Sequence, residues 1–234
     1  KIRQTFTTTV DTHPANNNTT SDNTTNTHPD ILERFSKWSR ALRVSSYVYR
    51  FVDRISYIRK HKSRIERLTL NRNAVTSIDE RLKVLLGHPS IQLEAHEIKS
   101  TKDKLAILCQ ILYLKEEYEC LKKKNPIPRK STLLCLTPYL DPKGIMRANG
   151  RLASSSSLSY DERHPILLPY SSSFAKLLTN HVHVITLHGG NQVMLRLIRS
   201  GYWIPKLQNL ISCTIRRCSP CTRYRNRQAS QLMA

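Results

Sequence analysis

The chain has 234 residues, is 39% hydrophobic, and carries a formal net charge of +21 with a pI near 10.1. That length suits one large or two small domains, and the charge points to a polyanionic partner, nucleic acid before an acidic membrane surface. No apolar run is long enough to span a bilayer and no signal peptide is visible, so no membrane-spanning helix and no membrane partner are expected, and the six cysteines are expected to be reduced thiols in an intracellular setting, cytoplasm and nucleus.

Residues 1–29 are rich in Thr, Asn and Ser and almost free of large apolar groups, which predicts a disordered tail. From Asp30 the character changes. Ile31, Phe35, Trp38, Leu42, Val48, Phe51, Val52, Ile55 and Ile58 recur at three- and four-residue spacings, so an amphipathic helix is expected with these residues buried and a break near Ser45-Ser46. Its other face carries Arg34, Lys37, Arg40, Arg43, Arg50, Arg54, Arg59 and Lys60, which reads equally as a solvated face or a nucleic-acid contact. A short helix is expected over 78–86, ended by Gly87-His88-Pro89. Ser100 to Asp103 has capping-box form and opens a predicted helix to about Lys123, with Leu105, Leu108, Cys109, Leu112 and Leu121 inward.

The period then changes to that of a strand. Leu134, Leu136, Tyr139 and Leu140 lead into the turn Asp141-Pro142-Lys143-Gly144, and Ile145 to Arg147 return as a hairpin. His164 to Pro169 predicts one more short strand. Asp161, Glu162 and His164 form the one cluster resembling an acid/base set, with no nucleophile beside it.

The C-terminal part returns to helical spacing. Ser171 to Ser173 would cap a helix carrying Phe174, Leu177, Leu178 and His181. A second helix is expected over about Gln192 to Arg199 with Val193, Leu197 and Ile198, then an apolar anchor, Tyr202-Trp203-Ile204. A third helix would open at Pro205 and run to about Arg217. The expected fold is mainly α with a small β-hairpin region, a disordered N-terminal tail and a C-terminal three-helix module that His183, His188, Cys218 and Cys221 would make zinc-binding. The expected divisions are a tail (1–29), a helical linker region (30–130), a β-hairpin extension (131–170), a zinc-binding domain (171–225) and a linker toward a further domain (226–234).

His183 and His188, then Cys218 and Cys221, form His-x4-His and Cys-x2-Cys separated by 29 residues. Two imidazoles and two thiolates can close a tetrahedral zinc shell, and all-protein ligation leaves no place for a reactive water, so the expected Zn2+ is structural. Cys-x2-Cys alone would also suit a redox pair, but no βαβ pattern surrounds it. Residues five apart on a helix lie about 140° apart in azimuth, so the chain must bend between the two histidines. His181 is a rival ligand for the first pair and Cys213 a rival thiolate for the second. Around these positions stand Arg196, Arg199, Lys206, Arg216, Arg217, Arg223, Arg225 and Arg227, with no Asp or Glu from 181 to 234. This one-signed stretch is the candidate phosphate-binding surface.

In combination, several segments resemble the region between RNase H and the integrase catalytic core in the Pol polyprotein of Pao-type (BEL-like) LTR retrotransposons. They are TLLCLTPYLDPKGIMRANGRL (132–152), HPILLP (164–169), HVITLHGGNQVMLRLIRSGYWIPKLQNLISCTIRRCSPC (183–221), LERFSKWSRALRVSSYVYRF (32–51) and QLMA (231–234). The resemblance implies that His183, His188, Cys218 and Cys221 are the His-His-Cys-Cys zinc ligands. It implies that Arg196, Arg199, Tyr202, Trp203 and Ile204 pack under the metal. It implies a polyprotein fragment with DNA, at retroelement ends, and further integrase protomers as partners. Strand transfer in this family uses three acidic residues of a following domain, so no catalytic residue is assigned here. Gln208 and Ser212 stand where relatives are often basic, and Ala148-Asn149-Gly150 where they often show Val-Gly-Gly.

Overall fold

The computed structural model describes residues 30–60, 92–150, 154–155 and 157–225. The expected tail, the helix over 78–86 and the linker after 225 lie outside the described residues. The described part is mostly helical with a small sheet, as the sequence patterning implied. No helix among the described residues is long and apolar enough to cross a membrane.

A 3-10 turn, Ile31–Arg34, leads into helix α1, Trp38–Lys60. Asp30 holds the turn in place: Oδ1 accepts from the Leu32 N–H, and Oδ2 from the Tyr113 hydroxyl (3.1 Å) and the Ser173 N–H (3.2 Å). Helix α1 is continuous through Ser45-Ser46, contrary to the expected break. Its inward face is Trp38, Ala41, Leu42, Ser45 and Ser46, whereas Ile31, Val48, Phe51, Val52 and Ile55 are exposed. The expected stripe therefore fails beyond Leu42. Small residues on the inward face let the next helix approach closely, and the buried Ser46 hydroxyl meets Thr101 Oγ1 at 3.0 Å. Apolar spacing alone does not show which of two faces a neighbour will cover.

Helix α2, Ala95–Tyr113, starts before the expected Ser100 cap. Glu97 accepts the Glu94 N–H at 2.9 Å, and Arg50 of α1 donates to Glu97 and to the Gln92 carbonyl. This caps the helix at Glu94, six residues before Ser100, and removes Arg50 from any free basic face. The helix breaks at Leu114 (φ −126°, ψ 40°), and α3 runs Lys115–Lys122. Leu105 and Cys109 are buried as expected, but Leu108 and Leu112 are exposed. Gln110, which no apolar pattern would place inside, is fully buried. Its Nε2 donates to the Met146 and Leu167 carbonyls and its Oε1 accepts from the Met146 N–H, each at 2.8 Å. The side-chain amide thus spans two strands and satisfies backbone groups that would otherwise be buried unpaired.

The sheet has four two-residue strands in the order β1-β2-β3-β4: β1 Tyr139–Leu140, β2 Met146–Arg147, β3 Ile166–Leu167 and β4 Tyr202–Trp203. The first three are antiparallel neighbours, and β4 joins β3 in parallel. The hairpin and the HPILLP strand appear where expected. Leu134–Leu136 form a 3-10 turn instead of a strand lead-in, and the fourth strand, from the aromatic anchor, was unexpected. Asp141 Oδ1 accepts from the Lys143 and Ile145 N–H groups across the turn, where Gly144 takes φ +80°. Asp141 Oδ2 binds buried Arg147 at 2.9 Å, and Arg147 also meets Asp161 at 2.9 Å and the His164 carbonyl at 2.6 Å. Burial works against the Arg147 charge, but Asp141 and Asp161 outweigh it and raise its pKa.

After a one-turn helix, α4 (Tyr160–Arg163), come α5 Ser173–Ile185, α6 Asn191–Arg199, α7 Leu207–Arg217 and α8 Ser219–Arg225. Ser172 caps α5, accepting from the Ala175 N–H at 3.2 Å. Helix α7 opens two residues after Pro205, behind Lys206 at φ +52°. One core cluster joins Leu32, Trp38 and Leu42 with Phe174, Val182, Met194, Ile198, Leu210, Ile211 and Ile215. Trp38 packs edge-on against Phe174, ring centroids 4.7 Å apart.

Candidate metal centre

Four elements deliver the four candidate ligands. His183 sits in the last turn of α5 and is buried. The helix ends at Ile185, and Leu187 (φ +51°) and His188 (φ +66°) are both left-handed, a conformation L-residues adopt only under constraint. Those two residues make the required bend and return His188 over His183. Thr186 Oγ1 donates to the Val182 carbonyl (2.8 Å) and accepts from the Gly189 N–H (3.2 Å), which closes the turn. A Cβ on Gly189 would lie 2.9 Å from Thr186 Cβ and Oγ1, so glycine is needed for this close approach.

Cys218 caps the end of α7, and Cys221 lies in α8. That short helix was missed by sequence reasoning, although Ser219-Pro220 is a helix-start signal. It turns Cys221 back toward Cys218, and Thr222 Oγ1 holds the Cys218 carbonyl at 3.0 Å.

The ligand atoms converge. His183 Nε2 and His188 Nδ1 are 3.0 Å apart. Cys218 Sγ is 3.2 Å from His188 Nδ1, and Cys221 Sγ is 3.4 Å from His183 Nε2 and 3.5 Å from His188 Nδ1. All four ligand atoms lie within 4.8 Å of one another. A tetrahedron built on Zn–N and Zn–S bonds of about 2.0 and 2.3 Å has edges of roughly 3.3 to 3.8 Å. The observed set is close to that shape, and two imidazoles with two thiols is a donor set zinc favours. The site suits a zinc ion held by protein ligands alone. The rivals His181 and Cys213 are not in the cluster.

The electrostatics agree with this use. Burial, and then His188, lower the His183 pKa and keep its imidazole neutral, the form that binds metal. Desolvation, and then Cys218, push the Cys221 thiol up, an effect a divalent cation offsets. His183 Nδ1 is buried with no hydrogen-bond partner among the described residues.

Arg196, Arg199, Lys206, Arg216, Arg217, Arg223 and Arg225 are all exposed, and Arg227 lies outside the described residues. Arg216, Arg217, Arg223 and Arg225 flank Cys218 and Cys221 along the chain. Lys206 stands at the opposite end of α7, and Arg196 and Arg199 are on α6. Of the expected anchor, Ile204 is buried and Tyr202 packs beside Phe174 at 5.8 Å. Trp203 is exposed, with the Arg199 guanidinium 5.9 Å above its ring. Within α6 the inward residues are Met194 and Ile198, while Val193 and Leu197 face out.

Of the Asp161, Glu162 and His164 cluster, the two carboxylates are held in structural contacts, and the His164 ring packs against Tyr139 and Tyr160. Asp161 pairs with Arg147, and Glu162 returns to the Ser159 N–H and hydroxyl at 2.9 Å, which lowers its pKa. No curated protein and no solved structure is similar enough to the chain to match. Residues 171–227, which contain all four convergent ligands, match the family model of the integrase zinc binding domain.

Proposed function

We propose that the chain is the structural, DNA-engaging zinc-binding part of a retrotransposon integrase, carried in a Pao-type (BEL-like) Pol polyprotein and acting in cytoplasm and nucleus. The observation that carries this reading is the convergence of His183, His188, Cys218 and Cys221 inside the segment that matches the integrase zinc binding domain. The metal organises the fold and performs no chemistry here. The chain's contribution to DNA integration is to hold retroelement ends, with strand transfer left to a following catalytic domain. Arg196, Arg199, Lys206, Arg216, Arg217, Arg223, Arg225 and Arg227 supply cations for phosphate contact in a stretch without Asp or Glu. Residues 30–130 and 131–170 serve as the helical and hairpin extensions of the zinc-binding domain.

Fluorescence anisotropy with duplex DNA over a salt series tests the DNA reading. Log affinity should fall linearly with log salt, with a slope of about −0.9 per phosphate neutralised. Affinity that stays flat between low and physiological salt would sink it. A second reading is a module for integrase self-association. It is favoured by the exposed apolar positions Val44, Val48, Phe51 and Ile55 on α1. A multimer that resists salt and ignores DNA, seen by size-exclusion chromatography with light scattering, would support it over the first.

A further inference from the structure

A cleft of about 800 Å³ opens beside the metal ligands. Its walls come from the turn holding Leu187, Gly189 and Gly190 and from Pro220, Tyr224 and Arg225 of α8, with Ile215 between. Two features set it apart from a simple surface groove. Leu187 is 88% exposed although it is a leucine at φ +51°, and Tyr224 is 79% exposed. A large apolar side chain and an aromatic ring are thus both presented to solvent, and the leucine is held there at a cost in backbone strain. The second feature is charge. No Asp or Glu occurs anywhere from Arg163 to Ala234, while Arg223 and Arg225 stand exposed on the same helix as Tyr224.

An exposed ring flanked in sequence by two arginines, in a cleft whose own lining holds no carboxylate, fits a base and its phosphate better than it fits a peptide. We propose that this cleft receives an unpaired nucleotide at the end of a DNA duplex. The base stacks on Tyr224 and against Leu187, and the adjoining phosphates meet Arg223 and Arg225. The cleft depends on the metal: His188 and Cys221, two of the ligands, also line it, so zinc sets the distance between the turn and α8. The inference rests on the DNA reading above and narrows it to a strand end.

The test uses the zinc-loaded full chain and two probes, a blunt DNA duplex and the same duplex with a short single-stranded extension. The extended duplex should bind about ten-fold tighter, the gain expected from one base stacked on an aromatic side chain. Tyr224→Ala should abolish that ratio and Tyr224→Phe should keep it. Tyr224 is exposed, and unchanged zinc content confirms that the variants fold. Equal affinity for the two duplexes overturns the cleft assignment and leaves the DNA reading standing. A ratio that survives Tyr224→Ala overturns the role of the ring. Binding to neither duplex at low salt removes the DNA reading along with the inference. A ribonucleotide extension held more tightly than the deoxyribonucleotide one overturns the choice of DNA.

Discussion

Gly189 donates its backbone N–H to Thr186 Oγ1 at 3.2 Å, while a Cβ at Gly189 would lie 2.9 Å from the same oxygen. The hydrogen bond and the missing side chain are one device. It lets the chain fold back after α5 tightly enough for His188 to reach His183. Gly189→Ala should therefore strain the turn by about 1–2 kcal/mol and weaken zinc affinity about ten-fold. Competition against a chromogenic chelator measures this. Unchanged affinity would show that the turn yields freely.

Cys218→Ser should leave the protein without stoichiometric zinc, whereas Cys213→Ser and His181→Ala should retain it. Structural zinc contributes on the order of 10 kcal/mol in small modules, so the ligand variant and chelated wild type should both lose helical circular dichroism and melt at lower temperature. Elemental analysis of the purified variants decides the ligand set. Zinc loss in Cys213→Ser would contradict the assignment.

Trp38 and Phe174 stand 136 positions apart in sequence yet pack edge-on at 4.7 Å. Trp38→Ala should cost about 3 kcal/mol of stability. Because the core is continuous from Leu32 to Ile215, the loss should appear in the segment holding the metal as well as in α1. Hydrogen exchange read on α5 and α7 reports it. Protection there that matches wild type would mean the upstream helix can leave without disturbing the metal segment.

Arg50 holds the Glu97 carboxyl well below its usual range, at about 2. The folded pKa is depressed, so the pair's contribution is fully present above the unfolded carboxylate range near 4.5. It is lost as pH falls through that range toward 2. In urea titrations between pH 5 and pH 2, Glu97→Gln should show a shallower fall in stability than wild type. At pH 7 the variant should be less stable by about 1 kcal/mol, since the pair is only partly shielded from solvent. Parallel pH profiles would show that Glu97 titrates no differently in the folded chain.

The metal site was legible in the sequence because ligand chemistry is local. His-x4-His and Cys-x2-Cys state the donor set, and the azimuth of five residues on a helix already demanded a bend. The hairpin was legible for a similar reason: Asp141-Pro142-Lys143-Gly144 carries its own turn chemistry. The capping of α2 was not. Ser100 and Asp103 have the right form, but the helix is capped by Glu94 and Glu97, which have the same local spacing. Glu97 also gains Arg50 from another helix, a partner no local rule contains.

The sequence by itself determined which residues could hold zinc, that the chain would be mainly helical, and that its C-terminal part would carry unopposed positive charge. These follow from side-chain chemistry, from periodicity and from composition, each readable over a few neighbouring positions. Only the tertiary structure decided which face of α1 is covered, that β4 joins the sheet, that Gln110 is a buried link between β2 and β3, and that α8 and the 187–190 turn enclose a cleft. Each depends on groups far apart in sequence meeting in space. The free energy of such a contact resides in the pair, and no single segment of the chain records it.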